Sequence, residues 1–268
     1  MTEPQLKPLA SRDNPFVKRL HALAHSGRDR RKLEEAVLDG AHLVEAALAA
    51  GVPLRALVVS ESGLLREEHR RLLAATPAEV PRYRLGDAVF AHVSPVDSPS
   101  GLLAIIAMPA CAPIDLAGAS LIALDGVQDP GNLGSLLRTA AAAGIRHALL
   151  GEGCAQAWSP RALRAGMGAQ FVVRVEEGCT LLARLEGYRG RCLATALRED
   201  ARPLYELDLR GPVAWLFGAE GQGLSPALLA RADGCVIIPM APGIESLNVA
   251  AAAAVCLFEQ ARQLRCTV

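Results

Sequence analysis

Net charge, long apolar segments and paired cysteines are what this chain of 268 residues lacks. Its 28 basic and 28 acidic residues cancel, so the whole-chain charge does not indicate a nucleic-acid partner. The longest apolar run, 249–258, is too short to span a bilayer. The first nine residues contain no apolar segment of signal-peptide length. We therefore expect a cytoplasmic protein that does not cross a membrane.

Several common site motifs are also missing. The seven cysteines form no Cys-x-x-Cys pair, and the six histidines do not cluster near them, so we expect no metal and reduced, mostly buried thiols. No Walker loop and no complete dinucleotide fingerprint follows a predicted strand, which argues against a nucleotide-driven enzyme and a Rossmann cofactor. No serine lies in a Gly-x-Ser-x-Gly elbow, so a hydrolase triad has no support.

The chain nevertheless has enough apolar residues, 51% of the total, for one large core or two ordinary ones. Apolar spacing predicts helix over 16–50, and apolar runs at 56–59 and 103–108 predict strands. Two prolines within 109–113 indicate a linker, since proline disfavours both helix and central strand. From 118 onward, strand and helix patterns alternate, which is typical of a parallel sheet covered by helices. The predicted domains are 1–110 and 118–268, joined by 111–117.

One segment of the N-terminal domain is strongly basic. Between Arg12 and Lys32 there are seven basic and two acidic residues, an excess of five. Such a segment is typical either of a phosphate-binding surface or of an ordinary solvated helix, and the sequence leaves both open. Under the first interpretation the RNA-binding side chains include Arg12, Lys18, Arg19, Arg30, Arg31 and Lys32.

The C-terminal domain contains a first polar motif where a predicted strand gives way to a helix. Pro130 and Gly131 predict a turn, and Asn132 is placed to cap the helix that follows. Arg138 lies among apolar residues of that helix. It is either a solvated surface residue or a guanidinium fork that grips a phosphate near the helix N-terminus, and both interpretations stand.

Two further motifs follow later strands. Glu220 lies just past an apolar strand between Gly218 and Gly221, which predicts a turn that a ligand can approach closely. Ser246 is placed as the N-cap of the final helix. Asn248 in the first turn of that helix is less easily explained by structure, because asparagine is a mediocre helix former with a versatile amide.

Taken in order, these motifs resemble the SpoU branch of the SPOUT RNA methyltransferases. The resemblance rests on Asn132-Leu133-Gly134 with Arg138-Thr139-Ala140, on Phe217-Gly218-Ala219-Glu220-Gly221, and on Ile238-Pro239-Met240 with Ser246-Leu247-Asn248-Val249-Ala250. The N-terminal segments Asn14-Pro15-x-Val17-Lys18 and Asp39-Gly40-x-His42-Leu43-Val44 are similar to the substrate-binding domain fused to ribosomal-RNA members. The resemblance implies an α/β fold: a C-terminal parallel sheet tied into a trefoil knot, and a smaller N-terminal α/β domain of the L7Ae/L30e type.

The resemblance also implies S-adenosylmethionine as methyl donor, a homodimer, and roles for individual residues. The cofactor-binding positions are Gly218, Ile238 and Leu247, helped by Thr195, Gly221 and Met240. The positions around the acceptor ribose are Asn132, Arg138, Glu220, Ser246 and Asn248. Because guanidinium stays protonated in proteins, Arg138 is interpreted as a phosphate anchor and charge stabiliser, and the proton acceptor is Glu220 or water.

The function that follows is 2′-O-ribose methylation of RNA, with 23S ribosomal RNA favoured by the extra N-terminal domain. A transfer-RNA 2′-O-methyltransferase is one alternative. A second is a non-catalytic RNA-binding or ribosome-assembly protein of the same fold, although all the motif polar residues are present. A third, a small-molecule α/β enzyme that uses no RNA, has the neutral net charge as its only support.

Overall fold

The computed structural model describes residues 6–109, 115–116 and 118–265. Most of the predicted linker 111–117, together with Cys111 and Cys266, therefore lies outside the described residues. The chain forms two compact units. The first consists of Met1–Ala110 and Trp158–Phe171, and the second of Cys111–Ala157 and Val172–Val268. The segment Trp158–Phe171 thus belongs to the first unit, whereas the sequence-based division had assigned it to the C-terminal domain.

The strands of the two units, in chain order, are β1 (Lys7–Leu9), β2 (Glu35–Asp39), β3 (Leu54–Ser60), β4 (Arg82–Leu85), β5 (Leu102–Ala107), β6 (Leu121–Asp125), β7 (His147–Gly151), β8 (Arg174–Cys179), β9 (Arg191–Thr195), β10 (Arg202–Pro203), β11 (Val213–Gly218) and β12 (Gly234–Ile237). The α-helices are α1 (Pro15–His25), α2 (Gly27–Leu33), α3 (Ala41–Ala49), α4 (Glu67–Ala75), α5 (Asp87–Val93), α6 (Pro130–Ala142), α7 (Pro160–Gly166), α8 (Leu181–Leu185), α9 (Pro226–Arg231) and α10 (Val249–Arg265).

The first unit is built on a five-stranded mixed sheet in the order β1-β4-β3-β5-β2. Strands β1, β4 and β3 are parallel, and β5 runs antiparallel to both of its neighbours. Helix α1 begins at Pro15 because Asn14 caps it, its side chain accepting from the Phe16 backbone nitrogen at 2.9 Å. The helix buries Val17, Leu20 and Leu23 in the core of this unit. The N-terminal α/β domain expected from the sequence is confirmed.

The long helical segment predicted over 16–50 is wrong in its middle. Ser26 ends α1 and caps α2, and Glu34 ends α2 in the left-handed conformation with φ of 52°. The chain then enters β2, which pairs antiparallel with β5. Residues 35–38 are all buried, so this strand has no alternation of apolar and polar residues to distinguish it from a buried helix.

The second unit is built on a seven-stranded sheet in the order β10-β12-β9-β11-β6-β7-β8, and every pairing in it is parallel. The parallel sheet predicted from the alternating pattern is therefore confirmed. The chain passes from β6 outward to β7 and β8, then returns to β9 on the far side of β11. Such a reversal brings the carboxyl ends of β9, β11 and β6 together, the place where open α/β sheets bind ligands.

Helix α10 is fastened to this sheet by a buried polar contact. The indole Nε1 of Trp215 donates to Oε1 of Gln260 at 2.8 Å, and both residues are buried. Gln260 also donates to the hydroxyl of Ser120 at 3.0 Å and to the carbonyl of Gly211 at 3.1 Å. Because each of these polar atoms is paired, the core accommodates them without a desolvation penalty.

Candidate active site

A cavity of about 680 Å³ lies at the carboxyl ends of β9, β11 and β12. This volume is within the range of small-molecule and cofactor sites. Its walls come from the segments that follow those strands and from the start of α10. The lining includes all the positions predicted to hold a cofactor: Thr195, Gly218, Gly221, Ile238, Met240 and Leu247. Apolar side chains of Leu197, Leu229 and Val249 complete much of the surface.

The loop after β11 is shaped by close backbone contacts. A Cβ on Gly218 would lie 2.1 Å from the carbonyl carbon of Gly223 and 2.3 Å from the Leu224 nitrogen, so no other residue fits there. Ala219 and Gly223 exchange two backbone hydrogen bonds, of 3.1 and 2.9 Å, which close a tight turn. Gly221 and Gly223 have φ of +86° and +69°, which glycine adopts without strain. The turn carries Glu220 at the edge of the cavity.

Three of the predicted ribose-site residues form one hydrogen-bonded cluster. The Asn248 side-chain nitrogen lies 3.0 Å from Oε1 of Glu220 and 3.1 Å from Oδ1 of Asn132. The Asn132 side-chain amide donates to the same Glu220 oxygen. The three side chains come from α6, from the turn after β11 and from the residue that precedes α10. The cluster therefore fixes one carboxylate oxygen and leaves Oε2 without a hydrogen-bond partner among the described residues.

Two capping assignments made from the sequence are wrong. Helix α6 is capped by Asp129, whose carboxylate accepts from the Asn132 backbone nitrogen at 2.8 Å, so the Asn132 side chain is released for the cluster. Helix α10 begins at Val249, and Asn248 accepts from the backbone nitrogens of Ala250 and Ala251 at 2.9 and 3.4 Å. Ser246 lines the cavity in the preceding loop.

Arg138 is not part of this cluster. Its side chain is exposed on α6, does not line the cavity, and has no hydrogen-bond or ion-pair partner among the described residues. The tertiary structure thus brings Asn132, Glu220 and Asn248 together and leaves Arg138 outside. Because the Arg138 guanidinium is exposed and unpaired among the described residues, it can bind an anionic ligand.

Some lining residues were not singled out from the sequence. Arg198 lines the cavity after β9, and its bidentate contact with Asp200 (2.8 and 3.2 Å) raises its pKa above the ordinary arginine value. Asp125 at the end of β6 does not line the cavity, but its carboxylate accepts from the Ser225 backbone nitrogen at 2.8 Å and connects the loop after β11 to the neighbouring strand. The position of Asp125 just after an apolar strand was the available signal.

The basic segment of the first unit does not present all its predicted residues to solvent. Arg30 is only 7% exposed, and its guanidinium donates to the carbonyls of Leu23 and Ala24 at 2.8 and 3.4 Å. It therefore stabilises the end of α1, and assigning it to RNA was wrong because a phosphate has no access to it. Arg19 pairs with Glu35 and Lys18 with Asp13. Arg12, Arg31 and Lys32 are exposed without a carboxylate partner among the described residues.

Within residues 6–109, 115–116 and 118–265, no group of three or more histidine, cysteine or acidic side chains has the arrangement a metal ion requires. No helix in that part of the chain combines the length and apolar character needed to cross a bilayer.

Comparison with known proteins gives two family matches. The model of the SpoU rRNA methylase family matches residues 119–258, and that of the MRM3-like substrate-binding domain matches residues 14–104. An uncharacterized tRNA/rRNA methyltransferase of Synechocystis is 34% identical, covering 95% of this chain and 93% of the relative. The 23S rRNA guanosine 2′-O-methyltransferase RlmP of Bacillus subtilis is 32% identical, covering 94% and 98%.

Solved structures agree with these sequence matches. An rRNA methyltransferase from Sinorhizobium meliloti with bound AdoMet superposes with a TM-score of 0.84 at 29% identity, covering 97% of this chain and 98% of that one. A second structure, described as an RNA 2′-O ribose methyltransferase, gives a TM-score of 0.82 at 32% identity, covering 96% and 98%. Both similarities extend over nearly the whole chain, including both units.

Proposed function

Because this chain belongs to the SpoU rRNA methylase family, we propose that it transfers a methyl group from S-adenosylmethionine to a ribose 2′-hydroxyl of ribosomal RNA. The observation that carries the proposal is the cluster of Asn132, Glu220 and Asn248 at the edge of the cavity. The cluster orients the carboxylate of Glu220 at the edge of the cavity, whose volume is suited to a cofactor. The named activities of RlmP and of the superposed structures support the same reaction.

The residues around the cavity fit S-adenosylmethionine. Apolar side chains such as Ile238 and Leu247 suit the flat face of an adenine, and the glycine-rich loop at Gly218 and Gly221 offers backbone groups for its polar edge. Glu220 is the only carboxylate among the predicted site residues, and its charge would complement a positive sulfonium. When bound, S-adenosylmethionine supplies a methyl group on a sulfonium sulfur that an oxygen nucleophile displaces.

The protein's part in this displacement is alignment and removal of one proton. Asn132 and Asn248 hold Oε1 of Glu220, so Oε2 is the atom that accepts the proton of the ribose hydroxyl. With the cofactor bound, the 2′-oxygen would take the methyl carbon from sulfur, and Glu220 would hold the hydroxyl proton until solvent removes it. Ser246, which lines the cavity in the loop before α10, is a hydrogen-bond donor and acceptor for the ribose.

Arg138 binds phosphate in this proposal. Its guanidinium is exposed and lacks a protein partner among the described residues, and it lies on the helix whose first turn carries Asn132. A fork of this kind suits the phosphate next to the target ribose. Exposed cations of the first unit, Arg12, Arg31 and Lys32, provide further phosphate contacts, with Lys18 and Arg19 contributing once released from their carboxylates.

We also propose a cytoplasmic homodimer. Helix α10, which directly follows Asn248, exposes Phe258 and Leu264 at 47% and 44% of their surfaces. Apolar side chains on the helix that begins at the site favour a second copy that completes the RNA-binding surface. Light scattering on the purified protein at micromolar concentration tests this. Phe258→Asp should give monomers, whereas Leu182→Asp, a change at another exposed leucine, should not.

A methyl-transfer assay tests the central proposal. The purified protein is incubated with methyl-labelled S-adenosylmethionine and either ribosomal or transfer RNA. We expect incorporation into ribosomal RNA as an alkali-resistant dinucleotide, because a 2′-O-methyl group blocks hydrolysis of the adjacent phosphodiester. Label recovered on a base, or incorporation only into transfer RNA, would refute the assigned acceptor. Calorimetric titration with S-adenosylmethionine separates a failed reaction from a failed cofactor site.

A further inference from the structure

Three histidine rings lie in a row on the surface of the first unit. His21 and His25 are one turn apart on α1, and His92 lies on α5. The ring centroids of His21 and His92 are 4.5 Å apart with an interplanar angle of 18°, so these rings stack. His21 and His25 are also 4.5 Å apart, at 43°. We refer to His21, His25 and His92 as the histidine row.

The charges around the histidine row are positive. His25 is acted on by Arg30 from α2 and by the two other histidines, and His92 by Arg12, which precedes α1, and by His21. Burial, together with these neighbours, lowers the pKa of both His25 and His92. Among the described residues no carboxylate acts on either ring.

Three of the acidic residues near these histidines in sequence are already engaged. Asp13 pairs with Lys18 at 2.9 Å, Glu35 pairs with Arg19, and Asp87 at the start of α5 accepts from the Ser62 hydroxyl at 2.7 Å. Asp29 in the first turn of α2 forms no ion pair with these rings and is not among the groups that act on His25 or His92, so no carboxylate of the described residues pairs with the row. Protonating one imidazole repels the next, and this cost disappears when an external anion lies against the rings.

We propose that the histidine row and Arg12 form a phosphodiester-binding site for the RNA substrate, and that this site takes up protons when RNA binds. The inference rests on the proposed function, since RNA is the anion it invokes. A nucleic acid backbone presents several phosphates close together, so it can neutralise more than one of these rings, which a single small anion does less well. Imidazole faces also accept stacked bases from unpaired RNA.

The surroundings favour RNA over other anions. Arg28 and Arg31 of α2, which follows α1 directly, are exposed without carboxylate partners among the described residues. Exposed cations close together in the chain are typical of surfaces that bind a nucleic acid backbone. In the described part of the chain these histidines do not form a metal-binding group.

The pH dependence of RNA binding tests the proposal. A uridine oligonucleotide labelled with a rhodamine dye is the probe, because neither uridine nor the dye titrates between about pH 5.5 and 8, where histidine does. Binding to the full-length protein is followed by fluorescence anisotropy at constant low salt with EDTA present. We expect the affinity to rise as the pH falls, by up to about tenfold per pH unit if one proton is taken up.

Matched variants show which histidines cause the pH dependence of oligonucleotide binding. The triple variant His21→Gln, His25→Gln, His92→Gln should bind with a much flatter pH profile, and His147→Gln, a half-buried histidine of the second unit, should keep the wild-type profile. His25→Lys, at an exposed position with a permanent charge, should bind tightly even at the upper end of the range. Circular dichroism confirms that each variant is folded.

Two results would overturn the proposal. One is a triple variant whose pH profile equals that of the wild type, and the other is a wild-type protein that does not bind the oligonucleotide at low salt. Either result is separable from failure of the proposed function. Methyl transfer to ribosomal RNA at a single fixed pH tests the proposed function on the same preparations, and binding of S-adenosylmethionine tests the second unit by itself.

Discussion

The side-chain amide of Asn248 lies 3.0 Å from Oε1 of Glu220, although 28 residues separate them in the chain. Asn248 directly precedes α10, and Glu220 lies in the turn after β11. Their contact, shared with Asn132, gives the carboxylate a fixed orientation at the mouth of the cavity. A carboxylate held by amides on one oxygen keeps the other oxygen for an incoming proton.

Glu220→Gln should lower the turnover rate by about a hundredfold or more, because it removes the proton acceptor while keeping the shape of the side chain. The affinity for S-adenosylmethionine, measured by calorimetry, should change much less. Glu186→Gln, the same change at an exposed carboxylate of the second unit that does not line the cavity, is the control and should retain activity. A Glu220→Gln enzyme with normal turnover would show that water alone accepts the proton.

Arg138→Ala should abolish methyl transfer and leave the affinity for S-adenosylmethionine largely unchanged, since the side chain does not line the cavity. Single-turnover methyl transfer and calorimetry measure the two effects separately. Arg189→Ala, at another exposed arginine of the second unit, should behave as the wild type. Normal turnover of Arg138→Ala would refute its role at the phosphate.

Reversing the charge at Arg31 and Lys32 should weaken binding of ribosomal RNA and reduce its salt dependence, with a slope lower by roughly one for each lost phosphate contact. Binding of S-adenosylmethionine should not change. Arg55→Glu, an exposed arginine on β3, is the matched control. An unchanged salt slope in the double variant would contradict the role of these side chains.

Gln260→Leu should destabilise the protein by about 1–3 kcal/mol, because the buried indole nitrogen of Trp215 loses its acceptor. Urea unfolding measures the change. Adding Trp215→Phe to Gln260→Leu should recover part of the loss, since the double variant removes both polar partners. A double variant less stable than the sum of the two single changes would contradict this account.

The free energy of unfolding should decrease when the pH falls below about 6.5. His69 is 1% exposed, and its Nδ1 lies 2.9 Å from the carbonyl of Gly63. Burial is the main cause that lowers its pKa in the folded protein. A depressed folded pKa contributes stability that is present above the unfolded value and is lost as the pH falls through the folded value.

Urea unfolding at a series of pH values measures this loss. His69→Gln keeps a hydrogen-bond donor but cannot titrate, so its stability should depend less on pH over the same range. His42→Gln, at an exposed position on α3, should leave the pH dependence as it is. If the free energy of unfolding depends on pH equally in the wild type and in His69→Gln, the pH dependence arises from groups other than His69.

Local pattern was sufficient for much of the second unit. The strands of its parallel sheet are short apolar runs separated by helical segments, and Gly218, two residues before Glu220, is required by the close approach of the backbone at that turn. Local pattern was not sufficient for the first unit. Strand β2 is buried at four of its five positions, and a fully buried apolar run has the same appearance in a helix and in a strand.

The sequence by itself determined the fold class, the three motifs and the residue types of the site, because these depend on local spacing and on the chemistry of each side chain. Only the tertiary structure decided which motif residues meet. It joined Asn132, Glu220 and Asn248 through one carboxylate oxygen, left Arg138 exposed, and buried Arg30 among backbone carbonyls. These contacts depend on how segments distant in sequence pack against one another, and local sequence patterns do not contain that information.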